Sequence, residues 1–408
     1  MKTIPVSQMA GDMATNSAST GVGSRAQPVA SLGTRLLAID ALRGLVMLFM
    51  LVDHIREIAY AHHPVTDPMQ ALTIEPALFF TRMTSQIVAP VFIALTGLSA
   101  YLYGQSHSKG ETSYFLLTRG LFLIFLEWTL VTGAWAAQHF PPTFWLQVIW
   151  CIGLCMIVLA GLLHLPRVWQ LGLAAVIVFG HNLLDGIVLT PDSAFYLPWA
   201  ILHQRAAFDV GGGVVIKISY PVLPWIGVIL FGYAIGPWFA RSVDPGARMR
   251  RLMTLGLTVL LAFVLIRFAN VYGDKPWVDS GDPLRTIMSF LSATKYPPSL
   301  MFLMPTLALG LILLSYFERI QQASFVRMLA FMGGAPMFFY VFHLYLLKVL
   351  NFLAVAIWGN NLGTGFGFDH VWGIWLTALI LLVPLYIPSR WFAGLKQRRR
   401  DIWWLKYL

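Results

Sequence analysis

The chain has 408 residues, of which 58% are hydrophobic and only 11% charged, and its mean hydropathy is +0.70. A soluble domain carries about 25% charged residues, so soluble enzymes, disordered chains, collagen and disulfide scaffolds are excluded, and one polytopic membrane domain is expected instead. The net charge of +10 then reads as membrane orientation, with no nucleic-acid partner.

In chain order, residues 1–34 are rich in Ser, Thr, Gly and Ala, lack a continuous apolar stretch, and read as a disordered cytoplasmic tail. Residues 35–392 form the membrane domain, and 393–408 a basic-aromatic tail that suits the inner membrane surface. Apolar runs long enough to cross about 30 Å of hydrocarbon fall near 36–54, 77–104, 114–137, 144–164, 168–189, 218–240, 252–270, 298–317, 329–357 and 371–390. The fold class is thus an all-α bundle of about ten, or eleven, transmembrane helices. The ninth run holds Gly333, Gly334 and Pro336, which predict a turn or kink.

Ten spans place both termini on one side, and the basic residues choose it. With the N terminus inside, inward segments hold eighteen of the 28 Lys and Arg, while outward loops hold Arg56, Arg205, Lys217, Lys275, Arg285 and Lys295. That asymmetry predicts an N-in, C-in protein. The largest outward loops, about 55–76, 190–217 and 271–297, suggest that function opens outward.

Ionisable groups in a span cost several kcal/mol unless paired or wetted, so each is a functional candidate. The first span, LLAIDALRGLVMLFMLVDHI, is the densest: Asp40, Arg43, Met47 and His54 share one stripe, and Arg43 and His54 are eleven residues and roughly 16 Å apart. Two readings stand together. Asp40 and Arg43 are a simple ion pair with His54 reaching the interface, or Arg43 meets a phosphate-rich donor and His54 is a titratable base.

Other spans add Arg82 with Gln86, His181 with Asp185 at i,i+4 in FGHNLLDGI, Arg267 with Asn270, and His343 in MFFYVFHLYLL. Each can serve a cavity or act as glue between helices; the i,i+4 pair offers an oriented imidazole on the first reading. In the outer loops, Asp274, Trp277, Lys295 and Tyr296 suit a sugar, with acceptors for hydroxyls and an apolar platform for the ring, although solvated acidic loops with interfacial aromatics are common. His62 and His63 lack a third ligand, and Cys151 and Cys155 sit in an apolar run without a metal-binding neighbour, so no metal is expected.

These segments, read together, carry a family signature. The stretch IDALRGLVMLFMLVDHIRE resembles the first span of the heparan-alpha-glucosaminide N-acetyltransferase catalytic-domain family, and LFFTRMTSQIVAPVFIALTGLSAYLYG, LTRGLFLIFLE, LQVIWCIGLCMI, GHNLLDG, YPVLPWIGVILFGYAIG, NVYGD, TKYPPSL and GAPMFFYVFHLYLL look like its bacterial members. The resemblance covers about 35–350. Arg43 and His54 also match an Arg and a His eleven residues apart in the wider membrane acyltransferase superfamily.

What the resemblance implies is an acyltransferase of the bacterial inner membrane. It would move an acyl group, usually acetyl, from cytoplasmic acetyl-CoA, a co-substrate and not a bound cofactor, to an extracytoplasmic carbohydrate, with homodimerisation allowed. The lysosomal member of the family departs here: its proposed active histidine lies in the loop after the first span. The catalytic candidates are therefore His54, His62 and His63, and Asp40, Arg43, Arg82, His181, Asp185, Arg267, Asp274, Trp277, Lys295, Tyr296 and His343 are candidates for binding donor or acceptor. A multi-pass transporter or flippase for a polar solute is the competing class.

Overall fold

Long apolar helices dominate the computed structural model, which describes residues 36–60, 69–136, 143–361, 363, 365–399, 401, 402 and 405. His62 and His63 lie outside the described residues. Seven helical segments are long and apolar enough to cross a membrane, counted among the described residues: Pro76–Gly104, Lys109–Trp135, Arg167–Leu184, Pro245–Ala269, Leu300–Arg319, Pro336–Trp358 and Val371–Arg398. Two further apolar helical segments, Val148–Leu162 and Leu223–Phe239, are shorter. The first helix, α1 (Leu37–Ala59), has the length to cross but carries the charges that set it apart.

The described helices run α1, α2 (Pro76–Thr84), α3 (Val88–Gly104), α4 (Lys109–Leu126), α5 (Thr132–Ala136), α6 (Val148–Leu162), α7 (Arg167–Gly180), α8 (Tyr196–Leu202), α9 (Leu223–Ala234), α10 (Pro245–Ala269), α11 (Pro283–Leu291), α12 (Leu300–Arg319), α13 (Ser324–Met332), α14 (Pro336–Trp358) and α15 (Val371–Arg398). Local chemistry sets several starts. Ser108 and Glu111 form a capping box on α4, while Asp244 and Asp282 cap α10 and α11 just before a proline. The turn predicted around Gly333 and Pro336 separates α13 from α14.

Two predicted features are refined. The second span, expected at 77–104, is found at Pro76–Gly104, but the chain turns inside it at Ser85–Ile87 between α2 and α3, where the Ser85 hydroxyl donates to the Arg82 carbonyl. The fold is not purely helical. Strands β1 (Thr143–Leu146), β2 (Ala206–Asp209) and β3 (Val215–Ile218) form a sheet of order β1-β3-β2, in which β1 runs parallel and β2 antiparallel to β3. Four-residue strands in connecting segments leave no periodic signal that competes with the neighbouring apolar runs.

Small residues let helix backbones approach. A Cβ on Gly44 would meet the Leu329 carbonyl oxygen at 2.1 Å, and one on Gly333 the Asp40 carbonyl oxygen at 1.9 Å, so α1 and α13 touch backbone to backbone at two points. Gly97 and Gly232 do the same between α3 and α9, and Gly120 and Gly153 between α4 and α6. Helix α1 also packs on α3, α12, α14 and α15. The buried ion pair Arg248–Glu318 joins α10 to α12. Apolar side chains such as Val176 and Phe179 on α7, Leu261 and Leu265 on α10, and Leu379, Ile380 and Val383 on α15 point away from the protein interior, as a lipid-facing surface requires.

Candidate active site

Because α1 is enclosed by neighbouring helices, its polar groups must find partners within the protein. At its first turns, Arg43 donates to Asp40 at 2.8 Å and reaches α3 at the Ser99 hydroxyl. Arg119 on α4 lies near enough for the two positive charges to act on each other, and its Nε is buried without a hydrogen-bond partner. Among the described residues Arg119 has no carboxylate partner. One end of α1 therefore presents two guanidinium groups and a single paired carboxylate.

At the other end, His54 meets His343 of α14, with 2.7 Å between His54 Nδ1 and His343 Nε2. The rings lie within 7° of parallel with centroids 5.0 Å apart. Face-to-face stacking would hold the planes about 3.4 Å apart, farther than this N···N distance, so the contact is an in-plane hydrogen bond. His343 Nδ1 in turn lies 2.7 Å from the Phe339 carbonyl oxygen, one helical turn back.

That chain of contacts assigns the protons. A carbonyl oxygen only accepts, so His343 Nδ1 carries a hydrogen; in a neutral ring its Nε2 then holds the lone pair. His54 Nδ1 must donate to it, which leaves the lone pair of a neutral His54 on Nε2. His343 is fully buried and His54 partly exposed. The edges of Trp135 and Tyr340 pack against the His54 ring at 5.5 and 5.9 Å between centroids. Trp135 follows a π-helical turn, Glu127–Val131, that re-aims the end of this span. Glu127, fully buried, accepts from the Ile149 and Trp150 amides at the start of α6, and Tyr345 of α14 donates to the Leu130 carbonyl within the turn.

Beside His54, Asp53 is bound by Arg82 and by Arg56 at 3.1 Å, and Arg82 also donates to Ser85. Lys295 lies within electrostatic range of both Asp53 and His54. Tyr296, its neighbour, contacts the Tyr220 hydroxyl at 3.4 Å, and its ring carries Lys295 Nζ at 5.2 Å and Arg205 Cζ at 5.4 Å. Burial alone would raise the Tyr296 hydroxyl pKa, but Lys295 and Arg82 outweigh it and hold the group below its ordinary value.

Several sequence candidates are engaged elsewhere. Asp185 does not pair with His181: the helix tightens into a 3-10 turn at His181–Leu184, and Asp185 instead accepts from Asn182 at 2.7 Å and pairs with His203 at 2.9 Å. Burial keeps the His203 pKa low despite that carboxylate. His181 bridges α7 to the Pro298 carbonyl. Arg267 donates to the carbonyls of Lys275, Ser289, Phe290 and Ser292, and Asp274 accepts from Thr294 and Ser299. Trp277 Nε1 donates to the Arg267 carbonyl. These residues brace the 271–299 connection, and their side-chain polar groups are occupied by doing so.

The structure thus brings His54, Asp53, Arg82, Lys295, Tyr296 and His343 together, and places Arg43 with Asp40 at the opposite end of α1. Trp135, Tyr340, Tyr220 and Arg205 carried no distinguishing signal in sequence. Glu127 did, as a carboxylate inside LFLIFLEWTLV. The catalytic-domain model of heparan-alpha-glucosaminide N-acetyltransferase matches residues 35–268, more than half of the chain. The chain belongs to that family. It is therefore a member of a membrane acetyltransferase family, as its segments suggested. The match includes Arg43, His54, Arg82 and Trp135 and ends before Lys295, Tyr296 and His343. No curated protein matches the chain.

Proposed function

We propose that this member of the acetyltransferase family moves an acetyl group from acetyl-CoA, supplied at the cytoplasmic face, to a carbohydrate on the opposite side, with His54 as general base. The observation that carries the reading is the Phe339–His343–His54 chain, which leaves His54 with its lone pair on Nε2. A base oriented through its other ring nitrogen is what acyl transfer to a hydroxyl or amine needs.

Arg43 and Arg119 suit the phosphates of the donor, since guanidinium forks match phosphate oxygens. The eleven residues from Arg43 to His54 span roughly 16 Å of helix, a length that the extended pantetheine arm covers. The donor threads the protein, so the acceptor need not cross the membrane. The acceptor O–H or N–H gives its proton to His54 Nε2 as the oxygen or nitrogen attacks the thioester carbonyl carbon. The tetrahedral intermediate collapses with cleavage of the C–S bond, and the thiolate takes the proton back from Nε2. His54, and not the His62–His63 pair, is the base on this reading. The ten spans with both termini inside, in a bacterial cytoplasmic membrane, form part of the same proposal.

His54→Ala is expected to abolish acetyl transfer from labelled acetyl-CoA in liposomes while insertion and thermal unfolding stay those of the parent. Full transfer by a correctly inserted His54→Ala protein overturns the base assignment.

A further inference from the structure

A buried tryptophan N–H ordinarily finds an acceptor inside the protein. The indole Nε1 of Trp135 is buried and makes no hydrogen bond among the described residues. Its place is set by the π-helical turn before it, Glu127–Val131, which three side chains clamp. The Thr132 hydroxyl donates to the Glu127 carbonyl at 2.8 Å, and Tyr345 of α14 donates to the Leu130 carbonyl at 2.9 Å. The Glu127 carboxylate accepts the Ile149 and Trp150 amides that open α6. A π-helical turn interrupts the regular hydrogen-bond ladder, and such turns gather at functional sites.

The clamped turn brings the Trp135 ring against His54 at 88°, with 5.5 Å between centroids. Tyr340 approaches the same imidazole at 67° and 5.9 Å, and its hydroxyl neighbours the indole nitrogen. Lys348 Nζ lies 5.9 Å from the centroid of the Trp135 ring, so the local field favours a negative charge there. Glu127 is also within electrostatic range of Tyr340, but the two amides at the start of α6 bind its carboxyl and offset that charge. Two X–H donors thus meet beside the base.

We propose that the Trp135 Nε1–H, with the Tyr340 O–H beside it, binds the oxyanion of the tetrahedral intermediate. The inference rests on the acetyl-transfer reading of this site and adds the groups that stabilise its transition state. As the acceptor oxygen or nitrogen attacks the thioester carbon, the carbonyl π electrons move onto oxygen. The indole and the phenol donate hydrogen bonds to that oxygen and keep their protons. When the C–S bond breaks, the electrons return, the C=O bond re-forms and both donors are released. A donor without a ground-state partner loses no bond on reaching the oxyanion, and in a dry site its bond to a charged oxygen is stronger than in water.

The test measures transfer from labelled acetyl-CoA by Trp135→Phe, which keeps an aromatic ring and loses the N–H. It is expected to lower kcat by a factor on the order of 10² with KM little changed. Thermal unfolding should stay that of the parent. Calorimetric affinity for acetonyl-CoA, a ketone with a methylene between sulfur and the carbonyl carbon, should stay too. Trp135→His supplies a ring N–H and should recover part of the rate. If Trp135→Phe does not insert, Tyr340→Phe, which removes a single oxygen atom, carries the test with the same split expected. A parent-like kcat in an inserted Trp135→Phe protein, or in Tyr340→Phe where that variant carries the test, overturns the oxyanion assignment. So does a loss of rate matched by an equal loss of acetonyl-CoA affinity, since that marks a packing role. If the parent itself transfers no acetyl group, the transferase reading fails and the oxyanion assignment falls with it.

Discussion

At the scale of single residues, the site turns on one backbone carbonyl. Phe339 fixes the hydrogen of His343 Nδ1, and that fixes which nitrogen of His54 is free. His343 is thus a positioning residue, acting on the acceptor only through His54. His343→Ala removes the acceptor for His54 Nδ1–H and is expected to lower kcat by a factor on the order of 10² with a smaller change in KM. His343→Gln offers an amide oxygen in its place and should recover part of the rate. A His343→Ala protein that keeps its full kcat, or a Gln variant no better than Ala, would sink the relay.

How much of this was legible follows from what each residue leaves in the sequence. A histidine or arginine in an apolar run is conspicuous, so His54, Arg43, Arg82 and His343 were visible one by one. Their grouping was not, because His54 and His343 are 289 residues apart and only helix packing joins them. Arg267 was visible for the same reason, and Asp274 and Trp277 as an acid and an aromatic in an outer loop, yet their side chains bond to α10 and to the 271–299 connection itself. Sequence shows that a polar group is present; whether it faces a ligand or a carbonyl depends on the fold.

At the scale of elements, α1 is fixed by close backbone contact. Gly44 and Gly333 meet at one close crossing of α1 and α13, and α1 carries both arginine and histidine to their places. Gly44→Val would drive side-chain carbons into the Leu329 carbonyl and should destabilise the protein by about 2 kcal/mol or more. Gly172→Ala on α7 is the control: nothing lies within 4 Å of its Cβ position, so the helix should gain roughly 0.5–1 kcal/mol. Thermal unfolding in detergent reads both. A Gly44→Val protein as stable as the parent would contradict the close α1–α13 approach. The break between α2 and α3 matters in the same way, because it sets Arg82 and Ser85 at the level of Asp53. An apolar run continuous through Ser85–Ile87 hides that turn from periodicity.

At the scale of the whole molecule, one enclosed helix carries polar groups at both of its ends. The low charge content that marked the chain as a membrane protein also isolates these groups, since most remaining charges lie outside the apolar segments. Arg43 and Arg119 at one end and the His54–His343 pair at the other suit a reaction whose donor and acceptor come from opposite sides. The measurement that tests this most directly uses sealed inside-out vesicles with an acceptor oligosaccharide trapped in the lumen and labelled acetyl-CoA added outside. The account predicts labelled oligosaccharide inside the vesicles, and none when His54 is Ala. Labelling that occurs only when acetyl-CoA and oligosaccharide share one compartment would contradict transfer through the protein.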